Sequence, residues 1–355
     1  MNKIAHNKPT IQSIDEEAVL ATLRSGYVAQ GAAVERFESL ISSHTSLKHS
    51  TVVSNGTTAL YLALWAMGVG RDDEVILPTY VCSALLNSIN MLGAKPVLVD
   101  VNPNDFNIQW SIVGDYFNSK TKAIIAPHIL GMPTRIPEEY KSQVKIIEDC
   151  CTAFNSYIDG VHVGSQADCA AFSFYATKYF TSGGAGGCVS TNNDELASRV
   201  LDYREFDCRE TYYPRFNFQV TDTQASMGIS QIQRVNDFTK RRHEIAKIYR
   251  EFFDARAIDY QRPLDEGIHF NDYRFIIKME ESYRDRLMGY LHEHGIGCIV
   301  PISQGELLHN YMHLDRKLFP NAEQIAATTL SLPIFPLLSD GEQEYIIQTI
   351  NQFFQ

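Results

Sequence analysis

Positive charge, long apolar runs and paired-cysteine motifs are scarce in this sequence of 355 residues. Lys and Arg number 31 against 42 Asp and Glu, which gives a formal net charge of -11. Because nucleic-acid binding depends on clustered Lys and Arg, this balance predicts no nucleic-acid partner. No apolar run approaches the ~18 residues needed to cross a bilayer, and residues 1–9 lack the apolar core of a signal peptide. We therefore expect a cytoplasmic protein that does not enter the membrane.

Metal-site motifs are also missing. The seven cysteines include no Cys-x-x-Cys spacing, and the adjacent Cys150 and Cys151 cannot readily share one tetrahedral metal. Among the histidines, His309 and His313 are four residues apart but have no acidic partner at metal-site spacing. The sequence predicts reduced, mostly buried thiols and no metal.

The length and the periodicity indicate an α/β protein with two lobes. The chain is longer than the roughly 250–300 residues at which one core stops growing. Short apolar runs, most of them separated by helix-like segments, predict crossover connections and a mostly parallel central sheet. These predicted strands are 52–53, 75–77, 96–99, 123–126, 145–147, 170–174 and 188–190. We predict a large domain over residues 1–250 and a smaller α/β domain over residues 251–355.

Several helices have readable boundaries. Ser13 followed by Glu16 predicts a capping box at the start of the first helix, and Gly26 is suited to end it. Helical periodicity also covers residues 34–45 and nearly all of 223–253. In the smaller lobe we predict a strand over 272–279 and a helix over 284–294.

The most informative pair is a carboxylate and a lysine that follow predicted strands. Asp149 ends one apolar run, and Lys178 lies 29 residues further on, shortly before the glycines of residues 183–187. A carboxylate can hold a pyridine nitrogen protonated and a lysine can form an imine, which are the two groups that pyridoxal phosphate most needs. Both residues also have ordinary interpretations, since a strand-end acid often caps a helix and most lysines are solvated.

The setting of each residue favours the functional interpretation. Ligands bind at the carboxyl ends of strands in such sheets. Glu148 alternates to the opposite face of its strand and is expected to be structural. Desolvation after an apolar strand is expected to lower the pKa of Lys178 and to favour its free amine.

A phosphate site is predicted where a strand turns into a helix. Residues 53–60 read as an apolar strand, a glycine, two hydroxyl residues and an apolar helix. Gly56 allows close backbone approach, and Thr57 and Thr58 add hydroxyls beside the free N–H groups of the helix start. Ser and Thr at a helix start are often only caps.

Nine ordered segments resemble the DegT/StrS family of nucleotide-sugar aminotransferases, and together they span nearly the whole chain. They are SNGTTALYLAL, DEVILPTY, GAKPVLVDV, KTKAIIAPHILG, IEDCCTAF, FSFYATKYFTSGGAGG, FNFQVTDTQASMGISQIQ, RRHEIAKIYR and LSLPIFP. The resemblance implies the fold of aspartate aminotransferase, fold type I, with a large three-layer lobe. It also implies a homodimer whose two active sites lie at the subunit interface.

The resemblance assigns roles by position. It makes Lys178 the lysine of the internal aldimine and Asp149 the partner of the pyridine nitrogen. Gly56, Thr57 and Ser173 become phosphate contacts. Asn217 is implied to reach the phosphate from the neighbouring subunit, a role that its surroundings in the sequence do not suggest.

Two departures from the family affect cofactor contacts. Cys82 stands where the family commonly has an aromatic ring stacked on the cofactor, and Tyr80 could replace that ring only if the loop shifts. Thr152 stands where many relatives have His or Gln, and its hydroxyl is expected to donate a hydrogen bond to the cofactor.

The resulting prediction is a pyridoxal-phosphate-dependent aminotransferase. It would move an amino group, by family analogy from glutamate, to the keto group of a nucleotide-linked sugar. A sugar dehydratase with the same cofactor usually replaces the lysine by His, so Lys178 disfavours it. The matching segments disfavour a lyase or decarboxylase of the same fold, and a regulator that binds the cofactor without turnover would be expected to lack the lysine, the aspartate or both. The sequence leaves the sugar, the nucleotide, the ring carbon and the pathway open.

The sequence identifies the residues that would bind the substrate less clearly than those that would bind the cofactor. Basic residues that could meet a diphosphate are Arg204, Arg209, Lys240, Arg241 and Arg242, although basic runs on helices are most often solvated or paired. His128, at the end of a predicted strand, could touch the substrate or cofactor, and a structural histidine is equally consistent with its position.

Overall fold

The computed structural model describes residues 3–355 as an α/β protein. Its strands are β1 (His49–Val53), β2 (Glu74–Pro78), β3 (Lys95–Val99), β4 (Thr121–Pro127), β5 (Lys145–Asp149), β6 (Tyr157–Ile158), β7 (Val161–His162), β8 (Cys169–Ser173), β9 (Gly187–Thr191), β10 (Ile268–His269), β11 (Phe275–Lys278) and β12 (Thr329–Leu332).

The α-helices are α1 (Ser13–Ser25), α2 (Ala32–Thr45), α3 (Gly56–Ala66), α4 (Ser83–Met91), α5 (Trp110–Val113), α6 (Glu138–Lys141), α7 (Asp194–Arg204), α8 (Asp222–Ile232), α9 (Val235–Asp254), α10 (Glu281–Glu293), α11 (Leu308–Tyr311), α12 (Pro320–Thr328) and α13 (Asp340–Phe353). Among residues 3–355, none of these helices combines the length and the apolar character needed to cross a membrane.

The central sheet has seven strands in the order β1-β9-β8-β5-β4-β2-β3. All pairs are parallel except those of β9, which runs antiparallel to both β1 and β8. Helices cover the sheet on both faces, so most strand residues are fully buried. The predicted α/β fold with a mostly parallel central sheet is confirmed. Each of the seven strands predicted for this sheet overlaps one of its strands, and only the prediction over 170–174 extends past the observed strand, by one residue.

The register of the sheet brings several strand ends together. Asp149 pairs with Pro127 of β4 on one side and with Ala171 of β8 on the other. Because the parallel strands β2, β4, β5 and β8 all end at the same edge, the loops that follow them converge there.

A smaller core lies around the antiparallel pair β11 and β12. Its buried side chains come from these strands, from α10 and α13 and from the second half of α9, with Tyr249 and Phe253 among them. Ile4 from the start of the chain joins this core and forms a bridge with Ile296. The division of the chain at residue 250 stays a prediction.

Two local predictions are corrected. The capping box of α1 is formed by Gln12 and Asp15, not by Ser13 and Glu16, because the carboxylate of Asp15 accepts the N–H of Gln12 at 2.9 Å. Gly26 does end α1, with φ at 77°. The strand predicted over 272–279 is shorter, since β11 begins only at Phe275.

Candidate active site

A cavity of about 370 Å³ lies at the edge where the parallel strands end. Residues that follow β2, β4, β5 and β8 line it, together with the start of α3 and residues of the smaller lobe. It contains most of the predicted cofactor contacts: Gly56, Thr57, Cys82, Asp149, Thr152, Ser173 and Lys178. The sequence therefore predicted side chains that the fold brings to one cavity.

Asp149 and Lys178 face this same cavity. Asp149 is the last residue of β5 and is only 8% exposed, and its carboxylate accepts the N–H of Cys151 at 3.0 Å. Lys178 is half-buried in the loop after β8, where its N–H closes a turn on the carbonyl of Tyr175 at 2.9 Å. A carboxylate and an amine are thus available to one bound molecule.

The pKa of Lys178 differs from the expectation. Burial lowers it, but Tyr273, Cys151 and other groups around the amine outweigh this effect, so the pKa of Lys178 is raised above its ordinary value. The sequence argument considered desolvation alone and missed the phenol and the thiols that the fold places around the lysine.

The start of α3 provides an anion site beside these groups. The first N–H groups of a helix have no partner within the helix. Asn55 caps α3 and accepts the N–H of Thr58 at 2.9 Å, which leaves the N–H groups of Gly56 and Thr57 for a ligand. Their positive partial charge suits a phosphate.

Close packing explains the glycine at the start of α3. A Cβ atom at Gly56 would lie 2.8 Å from Cβ of Ser173 and 3.2 Å from Sγ of Cys151. A Cβ atom at Gly187, the first residue of β9, would lie 2.4 Å from the backbone of Asn55. The absence of a Cβ atom at these two glycines lets the start of α3 pack against the last residue of β8 and the first residue of β9. The cradle of backbone N–H groups, with an acid and a lysine in the same cavity, fits pyridoxal phosphate.

Two residues predicted to contact the cofactor lie elsewhere. Thr58 does not line the cavity, because its hydroxyl is bonded to the hydroxyl of Ser54 at 3.1 Å. Asn217 does not line the cavity of its own chain either, and its side chain accepts the N–H of Gln219 at 3.4 Å. The prediction that Asn217 serves a neighbouring subunit remains a prediction.

Cys82 lies at the cavity and Tyr80 does not. Cys82 is exposed at the N-cap of α4. Tyr80 is fully buried and packs edge-on against Phe106, with its ring centroid 5.9 Å away. Tyr80 therefore does not supply the missing aromatic ring.

Thr152 lines the cavity, but its hydroxyl proton already forms a hydrogen bond within the protein. The hydroxyl donates to the carbonyl oxygen of His128 at 3.0 Å and accepts the N–H of Gly131 at 3.2 Å. Since a hydroxyl has one proton, the expected donation to the cofactor requires this bond to be exchanged.

His128 lines the cavity and forms a buried pair with Glu148. Nε2 of His128 lies 2.9 Å from the carboxylate of Glu148, and Nδ1 accepts the N–H of Thr134 at 3.1 Å. Glu148 also accepts main-chain N–H groups from Gly164 and Gln166. Both ring nitrogens of His128 are bonded within the protein, which supports its structural interpretation and that of Glu148.

The basic residues considered for a diphosphate do not line this cavity. Arg204 pairs with Glu38 and Glu205, and Arg209 pairs with Asp202 and Glu205. On α9, Arg241 pairs with Asp340, and Arg242 is buried and donates to two carbonyl groups. Lys240 is exposed on the same helix.

Sequence reasoning missed Tyr273 and Arg274, which the smaller lobe contributes to the cavity. Tyr273 is 3% exposed, and its phenol has the largest influence on the pKa of Lys178 after burial. In the sequence both residues belong to an apparent strand. The unusual signal was an Asp-Tyr-Arg run directly before the apolar residues of β11.

Comparison with known proteins agrees with this geometry. A model of the DegT/DnrJ/EryC1/StrS aminotransferase family matches residues 9–351. GDP-perosamine synthase of Escherichia coli O157:H7 is 30% identical over 100% of this chain and 99% of its own. A pleiotropic regulatory protein of Geobacillus stearothermophilus is 30% identical over 98% of this chain and 95% of its own.

A solved structure shows the same fold. The PMP form of a putative sugar aminotransferase, Spr1654 from Streptococcus pneumoniae, superposes with a TM-score of 0.91 at 25% identity. The superposition covers 99% of this chain and 97% of the other.

Proposed function

The chain belongs to the DegT/DnrJ/EryC1/StrS aminotransferase family, and from this premise we propose that it transfers an amino group from glutamate to the keto group of a nucleotide-linked sugar. The cofactor is pyridoxal phosphate. The observation that carries the proposal is the cavity that Asp149, Lys178 and the start of α3 share. Known relatives supply the substrate class, since one of them is a GDP-perosamine synthase.

The residues that would hold the cofactor follow from the geometry. The N–H groups of Gly56 and Thr57 and the hydroxyl of Ser173 would bind its phosphate. Asp149 would pair with the pyridine nitrogen, and Lys178 would hold the cofactor covalently. When bound, pyridoxal phosphate supplies an electron sink that lets an amino group leave one carbon and join another.

Asp149 keeps positive charge on the cofactor ring. Because the carboxylate is 8% exposed, little water competes with it for a cationic N–H, and charge-assisted hydrogen bonds are the strong ones. Its bond from the N–H of Cys151 fixes the orientation of the carboxylate in the cavity.

Lys178 moves the proton. When the donor's amine takes the place of Lys178 on the cofactor, Lys178 would be a free neutral amine beside the reacting carbon. Its Nζ would then take the proton from the donor's α-carbon and pass it to the cofactor, and the groups around Nζ, which raise the pKa of the free amine, would stabilise its protonated state. In the second half-reaction the same nitrogen returns a proton to the sugar carbon that receives the amine.

We also propose a homodimer with shared active sites. Large side chains of one chain are strongly exposed, among them Tyr27 at 82% and Tyr212 at 95%, and Phe216 is 44% exposed beside Asn217. Exposed apolar side chains mark an association surface where they form a contiguous patch, and Tyr212 and Phe216 are close in sequence to Asn217. In the dimer, Asn217 would complete the phosphate site of the partner.

A regulator without turnover is the second candidate, because one relative is a pleiotropic regulatory protein. Retention of both Lys178 and Asp149 in one cavity favours the enzyme. A sugar dehydratase is disfavoured, since Lys178 is present where such enzymes usually have His.

The test is a half-reaction. Purified protein loaded with pyridoxal phosphate is expected to lose its yellow colour with excess glutamate and to release an equal amount of 2-oxoglutarate. Incubating the resulting form with a panel of nucleotide-linked keto sugars, followed by mass spectrometry, identifies the acceptor. Colour that persists in glutamate without release of 2-oxoglutarate would contradict the proposed function and favour the regulator.

A further inference from the structure

Arg274 is a cavity residue whose positive charge is not neutralised. Together with Lys178 it is one of two basic Lys or Arg side chains that line the cavity in the described part of the chain. Its Nη2 donates to the hydroxyl of Tyr273 at 3.2 Å, and its Nη1 is buried with no hydrogen-bond partner among residues 3–355. No carboxylate of residues 3–355 lies within salt-bridge distance of it.

Two buried arginines of residues 3–355 pair with carboxylates, whereas buried Arg242 donates to carbonyl groups and leaves its Nε without a partner. Arg204 forms ion pairs with Glu38 and Glu205 at 2.6 and 2.7 Å. Arg284 pairs with Asp285 and donates to two carbonyl groups. Leaving a guanidinium donor buried and unpaired costs free energy, so an acceptor from outside the chain is the natural partner of Arg274.

A short chain of hydrogen bonds ties Arg274 to the reacting end of the cavity. The hydroxyl of Tyr273 accepts from Arg274 and donates to the carbonyl oxygen of Thr177 at 2.9 Å. Thr177 directly precedes Lys178 in the sequence. The ring of Tyr273 also lies under the guanidinium, with 4.4 Å between Cζ and the ring centroid. The guanidinium is therefore held at a fixed position relative to the lysine.

We propose that Arg274 binds the α-carboxylate of the amino donor, an inference that rests on the proposed aminotransferase function. The planar guanidinium presents paired N–H groups that match a carboxylate. In an α-amino acid the carboxylate is attached to the carbon from which Lys178 removes the proton, so it must lie near that lysine. The diphosphate of a nucleotide sugar is separated from the reacting ring carbon by part of the sugar, which places it further from Lys178.

Besides burial, the positive charge of Arg274 lowers the pKa of a neighbouring histidine, His6. Burial, followed by the positive charge of Arg274, lowers the pKa of His6 to about 3. His6 is therefore neutral at neutral pH, and its Nε2 lies 2.9 Å from the hydroxyl of Ser331.

The experiment compares Arg274→Gln and Arg274→Lys with the wild type, using steady-state kinetics with glutamate and the keto-sugar acceptor. Removing a charged hydrogen-bond pair is expected to raise KM for glutamate by about 10- to 100-fold. KM for the sugar is expected to stay near its wild-type value. Arg274→Lys keeps the charge but not the planar pair of donors. Its KM for glutamate is therefore expected to lie between the values of the wild type and of Arg274→Gln.

Arg286→Gln is the matched control, because Arg286 is exposed on α10 and rests only against aromatic rings. It is expected to leave both KM values unchanged. A second measurement is calorimetric binding of 2-oxoglutarate to the protein loaded with pyridoxal phosphate, with which it cannot react, and this binding is expected to weaken in Arg274→Gln by a factor similar to that for glutamate.

The outcomes separate the two claims. If the wild type does not transaminate, the proposed function fails. If it does, but both variants at position 274 keep the wild-type KM for glutamate, only the role of Arg274 is overturned. A rise in KM for the nucleotide sugar alone would overturn it too and assign the guanidinium to the diphosphate. If Arg274→Gln does not fold, Arg274→Lys decides the question by itself.

Discussion

At the scale of single residues, the proposed chemistry depends first on Lys178. Lys178→Ala removes both the covalent attachment and the proton carrier, so turnover is expected to fall by at least about 1000-fold. Pyridoxamine phosphate needs no bond to this lysine, and its affinity for the variant is expected to stay close to the wild-type value, because the start of α3 is unchanged. Turnover by product analysis and affinity by absorption titration test the two expectations.

Lys247→Ala serves as the control for that variant. Lys247 is exposed on α9 and far more solvated than Lys178, with only a loose pair to Glu251 at 3.9 Å. It is expected to keep wild-type turnover. A purified Lys178→Ala protein with near-normal transamination would remove Lys178 from the mechanism.

Glu148 gives a prediction about stability and pH. Burial alone would raise the pKa of Glu148, but hydrogen bonds from His128 and main-chain N–H groups outweigh it and hold the pKa below its ordinary value of 4.5. Glu148→Gln breaks a fully buried pair and is expected to lower the free energy of unfolding by about 3–5 kcal/mol near neutral pH.

The pH dependence follows from the lowered pKa. A carboxylate that titrates lower in the folded state stabilises the fold fully above its unfolded-state pKa, and this contribution is lost as the pH falls through the folded-state pKa. The difference between wild type and Glu148→Gln is therefore expected to shrink below about pH 4.5 in urea unfolding curves. The exposed Glu17→Gln variant is expected to stay within about 0.5 kcal/mol of wild type throughout. A difference independent of pH would contradict the assignment.

Site residues differ in how far the sequence revealed them. Asp149 and Gly56 could be placed because strand ends and helix starts position side chains by local rules. Arg274 could not, since its importance comes from the absence of a carboxylate partner, which only the tertiary structure shows. The raised pKa of Lys178 was missed for a similar reason, because residues distant in sequence surround its amine.

At the scale of elements, the start of α3 can be tested by steric crowding. In Gly56→Ala the new Cβ atom would lie 2.8 Å from Cβ of Ser173, closer than such atoms approach, so the cradle must shift. The affinity for pyridoxal phosphate is expected to fall by about 10-fold or more, in line with the ~1–3 kcal/mol of overpacking. Absorption titration of the cofactor measures this change.

Gly289→Ala is the matched control for a glycine in a helix. A Cβ atom at Gly289 of α10 would meet nothing within 4 Å. This variant is expected to bind the cofactor like the wild type and to gain about 0.5–1 kcal/mol in the free energy of unfolding, since Ala favours a helix. Equal cofactor affinity in Gly56→Ala and Gly289→Ala would show that α3 does not form the phosphate site.

The positions of the strands could largely be predicted from the sequence, but whether each strand runs parallel or antiparallel to its neighbour could not. Apolar runs of two to five residues marked the strands of the large sheet, because strands such as β4 are buried on both faces. The antiparallel direction of β9 has no local signature. It follows from the short connection across the glycine segment between Lys178 and Gly187.

At the scale of the whole molecule, the proposed association of two chains was inferred from the sequence only through the resemblance to the family. The position of Asn217 outside the cavity of its own chain agrees with the proposed role in a neighbouring site. Exposed aromatic residues near it, Tyr212 and Phe216, are the physical reason to expect burial against a partner.

Complementation between inactive variants tests the shared site directly. If Asn217 serves the partner, a heterodimer of Lys178→Ala with Asn217→Ala has one site with both defects and one with neither. Random pairing of the two chains is then expected to restore about one quarter of the wild-type sites, since half of the dimers are mixed and each mixed dimer has one intact site. Co-expression with two affinity tags and isolation of the mixed dimer raises this to about one half. Lys178→Ala with Asp149→Asn is the control, because one chain supplies both residues and no intact site can form. The contrary outcome requires that the Asn217→Ala homodimer is itself inactive. If purified mixed dimers then recover no turnover, Asn217 belongs to the site of its own chain.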